Sequence, residues 1–494
     1  MLFNSYEFIF LFLPITFFIY FLLNRKKLTI GSKSWLVAAS LFFYGWWNVR
    51  YLPLILGSIL FNYAIGTALG RSGQKDIKKL PRGTRLNRKI LCAVGIVGNV
   101  VLLGYFKYVD FFIANINYLA AGRMDLLHIV LPLGISFFTF TQIAFLVDAY
   151  KGTVKEYDLL NYSLFVTFFP HLIAGPIIHH KEMMPQFSRM KNKVLNSKHI
   201  ATGLFLFSVG LFKKVAIADN LAIWANNGFD TAQTLSFFEA WVTSLSYTFQ
   251  IYFDFSGYTD MALGSALLFN IKLPANFNSP YKSLNIQEFW RRWHITLSRF
   301  LREYIYIPLG GNREGETRTY FNLLITFLVG GFWHGAGWTF IFWGFLHGSA
   351  IVIHGVWKKY NLHMNRALAW FLTFNFVNAT WVFFRAKTWG DALKVLKAMC
   401  GLGEIRLPEF LSTKLAFLAQ KGIKFGENLG AINAEKHTSW MILACLLLVI
   451  LAKNSNQVAE RFKPDWKNAI FVGFLATYAV FDLGKVTQFI YFQF

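Results

Sequence analysis

GGFWHGAGW, residues 330–338, sets one imidazole, His334, among aromatic rings and glycines inside a strongly apolar run, FLVGGFWHGAGWTFIFWGFLHG (327–348). Without that histidine and its four nearby glycines, the run reads as a transmembrane helix. An ionisable side chain at hydrocarbon depth is costly, so it faces a protein interior or a watered cavity and has a task there. Glycines on both sides let other backbone or a thin substrate approach it closely. The fold class and the chemistry both turn on why His334 is buried.

The composition answers for the fold class. The chain has 494 residues, of which 55% are hydrophobic, 19% aromatic and only 15% charged, with mean hydropathy +0.41. Soluble domains carry roughly 25% charged residues, so this is an integral membrane protein. Its 49 Lys+Arg against 25 Asp+Glu give a formal charge of +24. The basic residues sit in short clusters between apolar runs, at Arg25, Lys26, Lys27 and Lys33 and from Arg71 through Lys89. That placement fits the positive-inside rule and an anionic cytoplasmic leaflet, and it argues against nucleic-acid binding. Cys92, Cys400 and Cys445 are far apart, which implies core thiols and neither a disulfide framework nor a zinc site. The opening MLFNSYEFIFLFLPITFFIYFLLNRKK carries its positive charge after the apolar stretch, so residues 8–23 read as a retained first span with an external N-terminus.

Apolar spans or half-spans fall at 8–23, 35–47, 51–69, 90–119, 129–147, 160–178, 200–225, 237–269, 320–332, 337–357, 368–384, 439–452 and 469–486. Several are too short to cross alone, and others carry Pro132, Gly134, Gly175 or Pro176. Broken helices at membrane depth are tolerated where they are buried in protein or line a cavity. The pattern therefore predicts an all-α polytopic protein with about eleven spans plus re-entrant and amphipathic pieces, by the length a span needs. Nothing marks a second domain, so residues 1–494 read as one unit. The clusters at 24–34 and 70–89 are expected on the cytoplasmic side, with 181–199, 271–319 and 453–468, and the turn 48–53 outside. Residues 386–438 carry both charge signs and stay ambiguous. No internal repeat is visible, which counts against a transporter built from two halves.

The least membrane-like segment is NIQEFWRRWHITLSRFLREYIYIPLGGNREGETR, 285–318. Helical spacing puts Trp290, His294, Leu297 and Leu301 on one face and Arg291 and Arg302 on another, which predicts an amphipathic interfacial helix. Its arginines, Arg291, Arg292 and Arg299 among them, either anchor lipid phosphate or form a rim that draws an anionic donor. Trp293 and Trp333 beside the histidines, Asn312 in the Gly310-Gly311-Asn312 turn, and Asp254 join them as candidate donor- or substrate-binding residues. His294 and His334 are the candidate catalytic pair: one acts as general base on a hydroxyl and the other orients or stabilises it. His347 lies thirteen residues past His334, about three and a half helical turns, and is expected on the same side. Asp254 and Asp260 are carboxylates within an apolar run and are functional by default, although bridging broken helices explains them equally well. The HHKE cluster at 179–182 reads as an interfacial loop, and no metal site is expected. No P-loop, G-x-G-x-x-G, G-x-S-x-G or CxxC occurs, which weakens readings as an ATP-driven pump, nicotinamide enzyme or serine hydrolase.

Taken together, FFPHLIAGPI (168–177), QIYFDFSGYTDMALG (250–264), NFNSPYKSLNIQEFWRRWHITLSRFLREYIYIPLGGNR (276–313), GGFWHGAGWTFIFWGFLHG (330–348) and WVFFRA (381–386) resemble the membrane-bound O-acyltransferases, in particular the bacterial alginate O-acetyltransferase-like branch. The opening MLFNSYEFIFLFLPI and the closing FIYFQF are also similar to that branch, so the resemblance spans essentially the whole chain. It implies a ring of tilted helices around a thin centre with funnels to both sides, the invariant histidine at His334 and the second at His294. It further implies acetyl transfer from a cytoplasmic donor, acetyl-CoA, with no tightly bound cofactor. An SGNH-type periplasmic acetyltransferase would complete the transfer to an exopolysaccharide or cell-wall glycan, alginate-like or peptidoglycan, across a bacterial inner membrane. Two rivals stand: D-alanyl or other acyl transfer on the same fold, and a transporter without covalent chemistry.

Overall fold

The computed structural model describes residues 1–71, 82–120, 122–426 and 429–485. Most of the basic cluster expected inside at 70–89 (residues 72–81) and the closing FIYFQF lie outside the described residues. The chain divides into two compact units, each assembled from separated stretches.

The first unit comprises Met1–Leu211, Tyr258–Ala275 and Ala459–Leu483. Its opening span runs Glu7–Arg25, close to the expected 8–23. Phe3, Phe8, Phe12, Phe43 and Phe169 pack with ring centres 4.9 to 5.9 Å apart and fix the early helices against one another. Between the helices Leu52–Arg71 and Arg82–Ala120, Asn62 and Asn99 donate to each other at 3.1 and 2.6 Å. Such a reciprocal amide pair satisfies polar groups that apolar surroundings would otherwise penalise. The expected break before residue 135 is real. Gly134 has φ +71 and caps the helix Ile135–Tyr150, and a Cβ there would stand 3.0 Å from the Leu172 carbonyl oxygen. Of the HHKE cluster, His179 Nδ1 lies 3.4 Å from Asp148 Oδ2 and His180 Nε2 3.1 Å from Glu156 Oε2.

The second unit comprises, among the described residues, Phe212–Gly257, Asn276–Val458 and the pair Gly484 and Lys485. Six helices matter for the site: α1 (Phe237–Leu268), whose residues up to Gly257 belong here, α2 (Ile286–Arg292), α3 (Ile295–Leu301), α4 (Glu316–His334), α5 (Trp338–Lys359) and α6 (Arg366–Arg385). The 327–348 run is a hairpin and not one span. Its helix stops at His334, Gly335 and Gly337 are fully extended, and α5 packs back along α4. The approach is as close as backbones allow: a Cβ on Gly331 would come 3.1 Å from Gly344 Cα, and one on Gly344 2.4 Å from the Phe327 carbonyl oxygen. Small residues at such crossings are what permit tight packing in lipid.

Among the described residues six helices are long and apolar enough to cross a membrane: Glu7–Arg25, Val49–Arg71, Leu86–Ala120, Ser197–Thr231, Trp338–Lys359 and Arg366–Arg385. Ile135–Tyr150 and His437–Leu451 are apolar but shorter. The count is below the eleven read from hydropathy for a local reason. Several apolar runs are cut into pieces, as at Leu159–Thr167 and Phe169–Leu172, or carry polar residues inward, as in α1 and α4. The chain is a helical multi-pass membrane protein. The ambiguous 386–438 region folds as the helix Trp389–Met399 and a small parallel ladder pairing Arg406–Pro408 with Lys424–Gly426. Cys400, expected in a core, is exposed at the end of that helix, because its apolar neighbours belong to the other face; Cys92 and Cys445 are buried.

Candidate active site

The amphipathic segment 288–303 is also not one helix. It breaks at Trp293–His294, where His294 takes a left-handed backbone with φ 42, and continues beyond α3 as a π-helical turn, Arg302–Tyr306. The break is held by a short extended stretch before it. Ile295 N–H donates to the Asn276 carbonyl at 2.9 Å, and Asn278 N–H donates to the Arg292 carbonyl at 2.9 Å. A left-handed non-glycine residue costs roughly 1–2 kcal/mol and persists only where its surroundings over-determine it. The side chain of Asn276 supplies the rest. Its Oδ1 accepts from Thr296 N–H at 3.2 Å and Thr296 Oγ1–H at 2.8 Å, and lies 3.2 Å from His294 Nδ1. An amide oxygen only accepts, so the His294 proton sits on Nδ1 and Nε2 is the basic nitrogen.

His334 and His294 are both buried, at 5% and 0% exposure, and their ring centres lie 6.4 Å apart. His334 is walled by Trp333 at 4.9 Å, Trp343 at 5.3 Å and Phe384 at 5.1 Å. His294 packs against Phe255 at 4.8 Å and Trp333 at 6.3 Å. His347 is also fully buried, but by a different route from the expected one. The hairpin turn at 335–337 cancels the helical phase on which its placement beside His334 was reasoned. Its Nδ1 accepts from Trp290 Nε1–H at 3.2 Å, so Nε2 carries the proton and donates to Thr380 Oγ1 at 3.0 Å, and Thr380 in turn donates to the Val377 carbonyl. Every polar atom of that imidazole is thus occupied in holding Trp290 and α6.

The other expected site residues divide. Trp293 is buried against Trp381, ring centres 4.9 Å apart. Arg291 and Asn312 line a cavity of about 620 Å³ together with Arg302, His354 and Lys358, and Trp290 is part of its wall. Trp290 meets Trp343 edge to face at 5.7 Å, and Trp343 in turn meets His334 at 5.3 Å, so two indoles link that basic cavity to His334. Arg292 is engaged with Glu288 Oε1 at 2.8 Å and the Asn278 carbonyl at 3.2 Å. Arg299 is half-buried on α3 and is not among the cavity-lining residues. Asp254 lies 2.8 Å from Lys214 Nζ, which is also 2.6 Å from Asp219 Oδ1, a buried cluster of two carboxylates and one ammonium. Asp260 is buried in the first unit. Sequence reasoning missed Asn276, Trp343, Phe384 and Trp381. Asn276 precedes His294 by eighteen residues, a spacing with no periodic signal, and only its place at the head of the NFNSP turn marks it.

Asn276 yields a direct test. Asn276→Ala removes the acceptor that fixes the His294 tautomer, and partners of that kind cost 10–100-fold when lost. The expected result is a fall of about that size in kcat with little change in KM. Asn276→Asp, which keeps an acceptor oxygen, should recover part of it. Steady-state kinetics of the three proteins check this.

A helical multi-pass protein with two neighbouring imidazoles in an aromatic wall, linked through two indoles to a basic cavity, has the parts of a group-transfer enzyme working within the membrane. The chain belongs to the membrane-bound O-acyltransferase family, whose model matches residues 33–387. It is an O-acyltransferase. Over an alignment covering all of this chain and 98% of the relative, it is 48% identical to a peptidoglycan O-acetyltransferase of Helicobacter pylori. It is 40% identical to the probable alginate O-acetylase AlgI of Pseudomonas aeruginosa, with 85% of this chain and 78% of that one covered. A teichoic acid D-alanyltransferase of Bacillus subtilis is 29% identical over 50% of this chain and 66% of its own length. Membership of an enzyme family sets the transporter reading aside.

Proposed function

We propose that the chain takes acetyl groups from acetyl-CoA on the cytoplasmic side of a bacterial inner membrane and passes them outward for O-acetylation of a glycan, peptidoglycan before alginate-like exopolysaccharides. A periplasmic SGNH-type partner completes the transfer, and the N-terminus faces the periplasm. The observation that carries the reading is the meeting of His294 and His334, 6.4 Å between ring centres, linked through the indoles of Trp343 and Trp290 to a cavity lined by Arg291, Arg302 and Lys358. The full-length likeness to a peptidoglycan O-acetyltransferase supports the acceptor, and the shorter, weaker likeness to D-alanyltransferases makes D-alanyl the second choice.

The chemistry balances without a metal. The acceptor hydroxyl oxygen attacks the thioester carbonyl carbon; the C–S bond breaks as the C–O bond forms. The imidazole pair takes the hydroxyl proton and returns it to the departing thiolate. His294, with its proton held on Nδ1 by Asn276, presents Nε2 for that proton. Indole N–H groups of Trp343 and Trp381 are buried with no acceptor among the described residues, and a carbonyl oxygen gaining charge suits them. Enclosure keeps water from the thioester.

Deleting the gene and complementing it tests the reading: base-labile acetate on purified peptidoglycan should vanish and return. Unchanged peptidoglycan acetate, with loss from another polymer, would reassign the acceptor. The basic cavity has its own test. Arg291→Ala should raise KM for acetyl-CoA about tenfold at low salt and less at high salt, the behaviour of a charge-assisted contact to phosphate. Arg299→Ala, outside that cavity, should change KM less than twofold, an order-of-magnitude expectation for a residue without the contact.

A further inference from the structure

A second cavity, of about 690 Å³, lies on the other flank of α5 and shares only His354 and Lys358 with the basic cavity described above. Its walls run along two helices, with Leu284, Asn285 and Ile286 at the start of α2 closing one side. Ala350, Ile353 and Trp357 follow one face of α5, and Ala369, Leu372 and Phe376 follow one face of α6, both at the i, i+3, i+7 spacing of a single stripe. Alanines at 350 and 369 keep the floor open, while Ile353 (65% exposed) and Leu372 (47% exposed) leave the groove open along its length. At the loop joining the helices the lining changes character, with Lys358, His363 and Arg366 forming the rim. Lys359 beside them is paired with Glu316 at 2.5 Å. Neither Lys358 nor Arg366 has an acidic partner among the described residues.

We propose that this groove is a binding site for an anionic phospholipid, with its phosphate at Lys358, His363 and Arg366 and an acyl chain between α5 and α6. The dimensions fit one leaflet. Lys358 to Ala350 is eight helical residues and Arg366 to Phe376 is ten, or about 12 and 15 Å at 1.5 Å per residue. Half of a roughly 30 Å hydrocarbon core is about 15 Å. Positive charge gathers at the loop end, and the rest of the length is mainly apolar, with Asn285, His354 and Thr373 its polar members, which matches a lipid's division into headgroup and tail. A soluble polyanion would leave that apolar length uncovered. Lys358 and His354 also line the basic cavity on the opposite flank of α5, so a lipid in the groove adjusts the charge seen there.

Native mass spectrometry of the purified full-length protein tests the site. Phosphatidylglycerol and phosphatidylcholine of identical acyl chains are offered separately, with inorganic phosphate and glycerophosphoglycerol, the headgroup without chains, as competitors. Phosphatidylglycerol should be retained roughly tenfold better, the scale two basic side chains give at an anionic headgroup. A Lys358→Gln, Arg366→Gln double variant should bring the two lipids within about twofold of each other. Ala369→Trp, which fills the floor, should lower retention of phosphatidylglycerol even with both cations present. Melting temperatures close to wild type would certify that the rim variant is folded. Equal retention of the two lipids by the wild type, or unchanged preference in the folded double variant, would overturn the proposal. Displacement by phosphate or glycerophosphoglycerol would also overturn it and assign the rim to a soluble anion.

Discussion

Replacing His334 by Ala should bring glycan acetylation close to background. Losing a group that takes part in moving the hydroxyl proton costs on the order of 10²–10⁴ in rate, and His334 sits within an aromatic wall of Trp333, Trp343 and Phe384 that offers no other base. His294→Ala should fall in the same range. The double variant should be little worse than His334→Ala, because groups that act on one proton as a unit are non-additive. His347→Ala serves as the contrast. Its nitrogens are committed to Trp290 and Thr380, so its loss should act through the tilt of Trp290 and cost less than about tenfold, a positioning effect. The readout is acetate released from purified glycan by mild base, normalised to protein in the membrane. Multiplicative losses in the double variant would separate the two histidines into independent steps.

Gly344→Leu should leave almost no folded protein in the membrane. A Cβ there meets the Phe327 carbonyl oxygen at 2.4 Å and Gly331 Cα at 3.2 Å, both backbone atoms that no rotamer change relieves. The hairpin α4–α5 would have to splay, and with it His334 at its tip and His347 on its second arm. Overpacking costs typically 1–3 kcal/mol in a core that can adjust, and this crossing has no flexible side chain to give way. Gly473→Ala, where nothing lies within 4 Å of the added carbon, should be neutral. Thermal melting in detergent and the yield of membrane-inserted protein distinguish the two.

The membrane class and the paired histidines were legible because they rest on composition and on local residue types. An apolar run with an embedded His334 and four glycines states its burial outright. Trp290, His294, Leu297 and Leu301 are all buried as their spacing predicts, even though the helix breaks in their midst. What the sequence concealed lies in chain reversals and distant partners. The glycines at 335 and 337 end α4 and turn the chain, so a helical phase carried from His334 to His347 has no meaning, although both residues pack on Trp343. The left-handed turn at His294 is imposed by Asn276, and the neutralising partner of Asp254 is Lys214, forty residues earlier. Neither pairing has a period or a motif. The basic rim divides in the same way. Arg291, Arg292 and Arg299 look alike in sequence, yet one lines the cavity, one is bound to Glu288 and one lies apart from it.

The central claim is that the histidine pair moves acetyl from acetyl-CoA to an oxygen acceptor, and the most direct test follows the label itself. Purified wild-type protein and His334→Ala, at equal amounts and equal melting temperature, are incubated with acetyl-radiolabelled acetyl-CoA and a candidate periplasmic partner. Free CoA thiol and labelled acceptor are then measured together. Wild type should release CoA and label the acceptor in equal amounts, and His334→Ala should do neither above background. Equal labelling by a folded His334→Ala protein, or no transfer from acetyl-CoA by the wild type when another acyl donor is turned over, would contradict the account.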